Sequence, residues 1–370
     1  MGKFQLFIAV LSLYSLCFAE NVNVYFSTGG RGALGIYKSK FNTQSGKLGH
    51  PSLAAELKNV NFLALHPDKD KLYAVGELPE GHAVVAYNID KKGGLKKFSS
   101  SLIKCNKGSH ISVHPSGKFL LTAQYLGPSV AYFPLNDKGE LGERVRIEHE
   151  GASKVNIKRQ KDPHPHWTGF SPDGKYAFVP DLGTDNIHIY KVKNDLSGIT
   201  KHGLAKSIPG GGPRHMRFSV DGKFIYLVNE LDLSVSTFAY NSKKGEAKLI
   251  KVTPALPKEI KDKEVFNSSA EIIVHPNGEF IWTSNRGNDS VSTFKVDKSS
   301  GKLNFVESEA VRGCWPRNIN IDPTSKWLLA AGQFSSTVSV FKINQDTGEL
   351  TFITKNIISV PGPTCILFAK

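Results

Sequence analysis

The chain is poor in sulfur, with four cysteines and two methionines among 370 residues. Cys17 falls in the leading apolar stretch, which leaves Cys105, Cys314 and Cys365, so at most one disulfide forms and one thiol stays free. Their spacing suits neither a zinc knuckle nor a disulfide scaffold. Beyond the N-terminus no apolar run reaches the roughly 18 residues of a membrane-spanning helix. Acidic residues are also short: 33 Asp and Glu against 47 Lys and Arg give a net charge of +14. The lysines are scattered through turns such as Lys91-Lys92 and Lys96-Lys97, without a basic cluster interleaved with aromatics, so nucleic-acid binding is not expected. An anionic small molecule fits that surplus better.

Residues 1–19 stand apart. Lys3 supplies a positive start, Phe4 to Phe18 is mostly apolar, and Cys17-Phe18-Ala19 ends on a small residue. This reads as a secretory signal peptide, with residues 20–370 as a single secreted domain. In a secreted chain, Asn267-Ser268-Ser269 and Asn288-Asp289-Ser290 would be glycosylation acceptors.

What is abundant is a repeated turn. It occurs as His66-Pro67-Asp68-Lys69, His114-Pro115-Ser116-Gly117, Ser171-Pro172-Asp173-Gly174, Ser219-Val220-Asp221-Gly222, His275-Pro276-Asn277-Gly278 and Asp322-Pro323-Thr324-Ser325. Pro followed by Asp, Asn or Ser and then Gly is hairpin-turn chemistry. Around each turn lie short alternating runs rich in β-branched and aromatic residues, as in Gly212 to Tyr240. A unit of about 50 residues with four strands indicates a β-propeller, and the absence of a Trp-Asp dipeptide separates it from the WD40 type. Six turns leave a strand at each end of the chain. Val24–Tyr37 lacks the strand before it and Pro361–Phe368 lacks those after it, so the termini complete one shared blade. The prediction is all-β: a seven-bladed propeller closed by pairing of its N- and C-terminal strands.

In such a ring, the loops leading into the first strand and out of the second share one face. Five residues before each turn stand Asn61, Ser109, His166, Arg214, Ala270 and Arg317, with Thr364 in the closing strand. One position later come His110, His215 and Glu271. The outgoing loops carry Gly76-Glu77, Gln124-Tyr125, Asp181-Leu182, Asn229-Glu230, Asn285-Arg286 and Gly332-Gln333. Ionisable residues concentrate between His166 and Arg317, and a purely structural repeat has no use for that asymmetry. His66, His114 and His275 sit in the turns and read as structural, and so does His215. His164 and His166 precede an inner strand in Asp162-Pro163-His164-Pro165-His166. No metal or cofactor is expected, because the third Cys or His ligand of a zinc site is lacking at that face. Arg214 and Arg286 suit an anion, since a guanidinium presents a planar fork to carboxylate or phosphate. Glu230 between them would stay ionised and either orient His166 or act as the base itself.

SPDGKYAFVPDLGTDNIHIY, GPRHMRFSVDGKFIYLVNEL, HPNGEFIWTSNRGNDSVSTF and the segment around Trp315-Pro316-Arg317 resemble the seven-bladed lactonases, a family that includes propeller-type 6-phosphogluconolactonases and 3-carboxy-cis,cis-muconate cyclases. The resemblance spans essentially the whole chain after the leader. It implies lactone chemistry, either hydrolysis or cycloisomerisation, on an anionic substrate. It also implies a catalytic group of His166, Arg214, Glu230 and Arg286, the four residues that the columns single out. Arg214, Arg286, Arg317, Asp181 and His164 are expected at the substrate, and a monomer is expected. Two alternatives stay open: a non-catalytic propeller that binds an anion or a protein on this face, and a calcium-dependent lactonase using Asp181, Asn229, Glu230 and Asn285.

Overall fold

The computed structural model describes residues 21–104 and 106–369; the leader, residues 1–19, and Cys105 lie outside them. Seven four-stranded antiparallel sheets form the blades of a ring. From the axis outward, blade 1 is Pro363–Ala369, Asn21–Thr28, Gly35–Asn42 and Ser52–Glu56. Blade 2 is Lys58–Leu65, Lys71–Leu78, Gly81–Ile89 and Leu95–Leu102. Blade 3 is Gly108–Val113, Phe119–Gln124, Ser129–Pro134 and Val145–Glu148. Blade 4 is Gly169–Phe170, Tyr176–Asp181, Asn186–Val192 and Ile199–Lys206. Blade 5 is Pro213–Phe218, Phe224–Asn229, Ser234–Asn241 and Glu246–Pro254. Blade 6 is Ser268–Val274, Phe280–Arg286, Ser290–Val296 and Leu303–Ala310. Blade 7 is Pro316–Ile321, Trp327–Gly332, Thr337–Ile343 and Leu350–Ser359.

The ring closes through blade 1, as the sequence predicts. Tyr25 pairs with Leu367 and Phe26 with Ile366 across the two ends of the chain. The Ser27 and Thr364 hydroxyls sit 2.8 Å apart in the same seam.

Alternation in the second strands builds the core. Val24 and Phe26 pack on Leu329 and Ala331 of blade 7, while Tyr25 between them packs on Leu72 and Ala74 of blade 2. Tyr73 and Val75 face blade 3, and the pattern repeats around the ring. Each such strand is buried on both faces, so it reads as a continuous apolar run. Full burial of each large side chain contributes about 1.5–3 kcal/mol.

Each repeated turn is closed by a backbone bond, such as Gly117 N to the His114 carbonyl at 2.8 Å. The turn needs a left-handed residue (φ +69° to +73° at Gly174, Gly222 and Gly278), and Lys69 and Ser325 adopt it without glycine. His66, His114 and His275 reach from one turn to the next blade's turn: His66 Nε2 to the Gly117 carbonyl, His114 Nε2 to that of Gly174, and His275 Nε2 to that of Ser325, at 3.2, 2.9 and 3.3 Å. Their structural role follows from that.

At the opposite face the inner strands carry bulges. The ladder slips between Gly108 and His110, between Pro213 and His215, and between Pro316 and Asn318. A bulge bends the strand and re-aims the extra residue. Here the extra residues are Ser109, Arg214 and Arg317, members of the column read from the sequence.

Cys314 is an exposed free thiol and Cys365 a buried one, the latter pushed up to about 12 by burial. Asn267 is engaged on both sides: its Nδ2 donates to the Lys261 carbonyl at 2.8 Å and its Oδ1 accepts from Asn288 N at 2.9 Å.

Candidate active site

Blade 4 departs furthest from the repeat. Its inner strand shrinks to Gly169–Phe170, and residues 149–168 before it run as a loop over the ring's mouth. Pro163 and Pro165 bracket His164, and prolines disfavour helix at the residue before them. The segment is instead held extended. His164 N donates to Asp181 Oδ1 at 2.7 Å, and His166 N to the Pro180 carbonyl at 3.0 Å. That fixes the His166 ring in the wall of a cavity of about 330 Å³, which Glu230, Arg286, Arg317, Lys107, Ser109 and Tyr125 also line.

Glu230 is the electrostatic hub. Its Oε2 accepts from Arg214 Nε at 2.8 Å and pairs with Arg286 Nη2 at 3.1 Å, while Oε1 meets Arg159 Nη2 at 2.6 Å. Burial would raise this carboxyl, but Arg286, Arg214 and Arg159 outweigh it and hold Glu230 well below the usual carboxylate range. One negative charge against three positive ones leaves the cluster cationic. Arg317 and Lys107 add two more cations, and among the described residues neither makes a hydrogen bond or ion pair. Burial lowers both, and each is lowered further by a neighbouring cation, Arg286 for Arg317 and Arg317 for Lys107.

Into this field projects a neutral imidazole. Burial first, then Arg214, holds His166 well below 6.5. Its Nδ1 has no partner. Arg286 retains an unpartnered Nε, and its guanidinium lies 5.3 Å over the Trp315 ring. A neutral imidazole, a guanidinium and an excess of positive charge thus share one cavity.

The four residues predicted as catalytic do converge, but not equivalently. His166, Glu230 and Arg286 line the cavity, as does Arg317. Arg214 is 1% exposed and lies behind Glu230, with Nη1 bonded to the Ala270 carbonyl at 2.6 Å. It braces the carboxylate from behind. His164 and Asp181 stand off the wall. His164 stacks on Tyr125 at 4.5 Å and pairs with its carbonyl at 2.7 Å. Asp181 Oδ1 collects the N–H groups of His164, Gly183 and Thr184, and Oδ2 lies 2.6 Å from His149 Nδ1. Its carboxylate pins the loop on which His166 rides.

Asn229 and Asn285 serve the scaffold, each amide donating to two serines of the next strand: Ser234 and Ser236, Ser290 and Ser292. Their Oδ1 atoms accept from the Ser207 and Ser269 hydroxyls at 3.1 and 3.3 Å, so the calcium reading loses its ligand set. A second grouping, His149, Asp181 and His188, brings three potential ligands together. Yet His149 has both ring nitrogens bonded, to Asp181 and to Tyr190 Oη at 2.8 Å, and its ring stacks on His188 at 3.7 Å. Face-to-face imidazoles cannot aim in-plane lone pairs at one ion, so the group is a hydrogen-bonded brace.

Sequence reasoning missed Arg159, Tyr125 as its partner, and Lys107. Arg159 reaches Glu230 from the irregular loop, where Gln160 is anchored to the Leu182 carbonyl at 2.9 Å and to Asp185 at 2.7 Å. Neither Arg159 nor Lys107 belongs to a repeat column; only the surplus of positive charge hinted at them.

Fold and cavity define an all-β propeller with a buried imidazole and a cationic rim at one mouth of the ring. The family described as lactonase, 7-bladed β-propeller, matches residues 23–368, and the chain belongs to it. Among curated proteins it is 35% identical over 293 residues to a 6-phosphogluconolactonase of Bacillus subtilis, covering 79% of this chain and 82% of that one. It is 34% identical to a 6-phosphogluconolactonase of Formosa agariphila, covering 78% and 82%. Among solved structures, the periplasmic gluconolactonase of Pseudomonas aeruginosa superposes with a TM-score of 0.87 at 29% identity, covering 95% of this chain and 99% of that one. The lactonase-type enzyme expected from the sequence is the one these relatives represent.

Proposed function

We propose that the protein is a secreted, monomeric hydrolase that opens a sugar lactone carrying a phosphate or carboxylate. One observation carries the reading: a neutral, partly unpartnered His166 shares its cavity with Arg317 and Lys107, two cations whose side chains make no ion pair among the described residues. The substrate's anionic group would bind these two. His166 Nε2 would take a proton from a water attacking the lactone carbonyl. Arg286, steadied by Glu230, would donate to the oxygen on which charge develops. Glu230 and Arg214 hold this donor in place and do not need to exchange protons. An arriving anion also offsets the field that keeps His166 neutral, so substrate binding strengthens the base. Hydrolysis is favoured over ring closure because the named relatives are lactonases, and secretion is favoured by the composition of residues 1–19.

The test compares 6-phosphogluconolactone with uncharged glucono-lactone. Wild type should prefer the charged substrate; His166→Ala should lose at least about a hundredfold in kcat, within the usual range for acid–base catalysis. Failure of wild type to hydrolyse either lactone, or an Arg214→Ala variant as active as His66→Ala, would overturn the reading.

A further inference from the structure

Below the cavity, three histidines from neighbouring blades meet on the propeller axis. The ring centroids of His166 and His215 are 5.1 Å apart, and those of His110 and His215 are 5.4 Å apart. They are 5%, 2% and 3% exposed for His166, His215 and His110. Each keeps one buried ring nitrogen without a partner: His166 Nδ1, His215 Nε2 and His110 Nε2. Unsatisfied nitrogens of this kind are costly to bury, and three on adjoining rings call for a shared partner.

The opposite ring nitrogens fix the hydrogens. His215 Nδ1 lies 3.0 Å from Glu271 Oε2, so Nδ1 carries the hydrogen and Nε2 is a bare acceptor. Glu271 is itself held by Arg217 Nη2 at 3.0 Å and Asn318 Nδ2 at 2.7 Å. At His110, Thr168 N donates to Nδ1 at 3.2 Å, so Nε2 carries the hydrogen. His166 must keep Nε2 bare to act as a base towards the cavity, which puts its hydrogen on Nδ1. Two donors and one acceptor match what a single water offers, since buried waters typically make about three hydrogen bonds. The Phe62 and Trp167 rings flank His110 at 4.1 and 5.3 Å and give the site apolar walls.

We propose that these three nitrogens bind one buried water, and that His215, positioned by Glu271, is the second station of a proton relay behind His166. The relay rests on the reading of His166 as the base. When His166 Nε2 takes the proton of the attacking water, its Nδ1 hydrogen passes to the buried water. That water gives one of its own hydrogens to His215 Nε2, forming an imidazolium whose Nδ1–H faces Glu271. His166 is then neutral with its hydrogen on Nε2, ready to protonate the alkoxide that leaves as the ring opens. The borrowed proton returns by the same route, so lactone and water yield the hydroxy acid with no net change in the protein. Burial, then Arg214 and Arg217, holds His215 well below 6.5 too, which makes the transfer a loan within one turnover.

Two measurements on the wild-type protein decide the binding site without any assay of turnover. A crystal structure that resolves ordered solvent should show one peak within hydrogen-bond distance of all three nitrogens. Spectra of 15N-histidine-labelled protein should show the Nδ1–H tautomer at His215 and the Nε2–H tautomer at His110. A dry site, or the reverse tautomer at His215, overturns the proposal. For the relay, kinetics on 6-phosphogluconolactone should show kcat down at least about tenfold in Glu271→Gln and His215→Phe, with KM within about twofold and an altered solvent deuterium isotope effect on kcat. Glu271→Gln preserves shape and serves alone if His215→Phe fails to fold. Unchanged kcat, or a loss confined to KM, overturns the relay. If wild type opens no lactone, the proposed function falls, while solvent and tautomers still decide the water site.

Discussion

Asn229-Glu230 and Asn285-Arg286 hold the same place in neighbouring blades, at the end of the second strand. The asparagines do the same job, each pinning two serines of the following strand. The residues after them carry opposite charges and meet across the blade boundary at 3.1 Å. In these two blades, one step along the chain separates a position filled alike from one where they differ. The scaffold lives in the first column and the chemistry in the second.

Breaking the second column should have the largest effect. Glu230→Ala leaves Arg159, Arg214 and Arg286 without their shared counter-charge. Removing one partner of a buried ion pair costs about 3–5 kcal/mol. Denaturant unfolding should show that loss, and lactone turnover should vanish with it.

Acid should act next, through the buried histidines. His110, His166 and His215 are held well below 6.5, chiefly by burial, and His188 is lowered to about 3 by burial and His149. The unfolded chain protonates these groups first as pH falls, so their contribution is whole above about 6.5 and declines below it. Each adds a slope of up to about 1.4 kcal/mol per pH unit. Thermal midpoints measured from pH 7.5 to 5 should fall accordingly, and His110→Phe should flatten the curve. Glu230 extends the loss further, below its unfolded value near 4.5.

The first column should respond evenly. Asn229→Ala and Asn285→Ala each remove the bonds to two buried serine hydroxyls, at about 1–3 kcal/mol. Similar unfolding losses with intact lactone preference would sharpen the contrast; a large kinetic defect in one alone would blur it.

Arg317→Ala should leave stability almost unchanged, because the side chain has no partner to lose. It should raise KM for a phosphorylated lactone about tenfold and leave an uncharged one unaffected. Smallest of all, His66→Ala removes one 3.2 Å bond between turns and should cost less than about 1 kcal/mol with normal turnover.

The turns and the seven blades were legible because their signals are local. Pro-Asp-Gly sets a hairpin wherever it occurs, and strand alternation then fixes which positions face the mouth. His166, Glu230 and Arg286 were legible for the same reason. The depth of Arg214 against Arg317 was not. Both are bulged residues at one column position, but the outgoing loop of blade 5 offers Glu230 where blade 7 offers Gln333. Arg214 folds back onto the carboxylate, whereas Arg317 finds none and faces the cavity. Nor could Arg159 be placed, because its loop belongs to no repeat and reaches Glu230 across 71 positions.

By itself, then, the order of residues determined the unit, its count and the face that carries charge, since turn chemistry and side-chain alternation act over a few neighbours. Only the closed ring decided which cations are spent on Glu230, which stay outside any ion pair, and that three imidazoles meet. Those outcomes depend on groups dozens of positions apart competing for the same partner inside a medium that screens charge poorly.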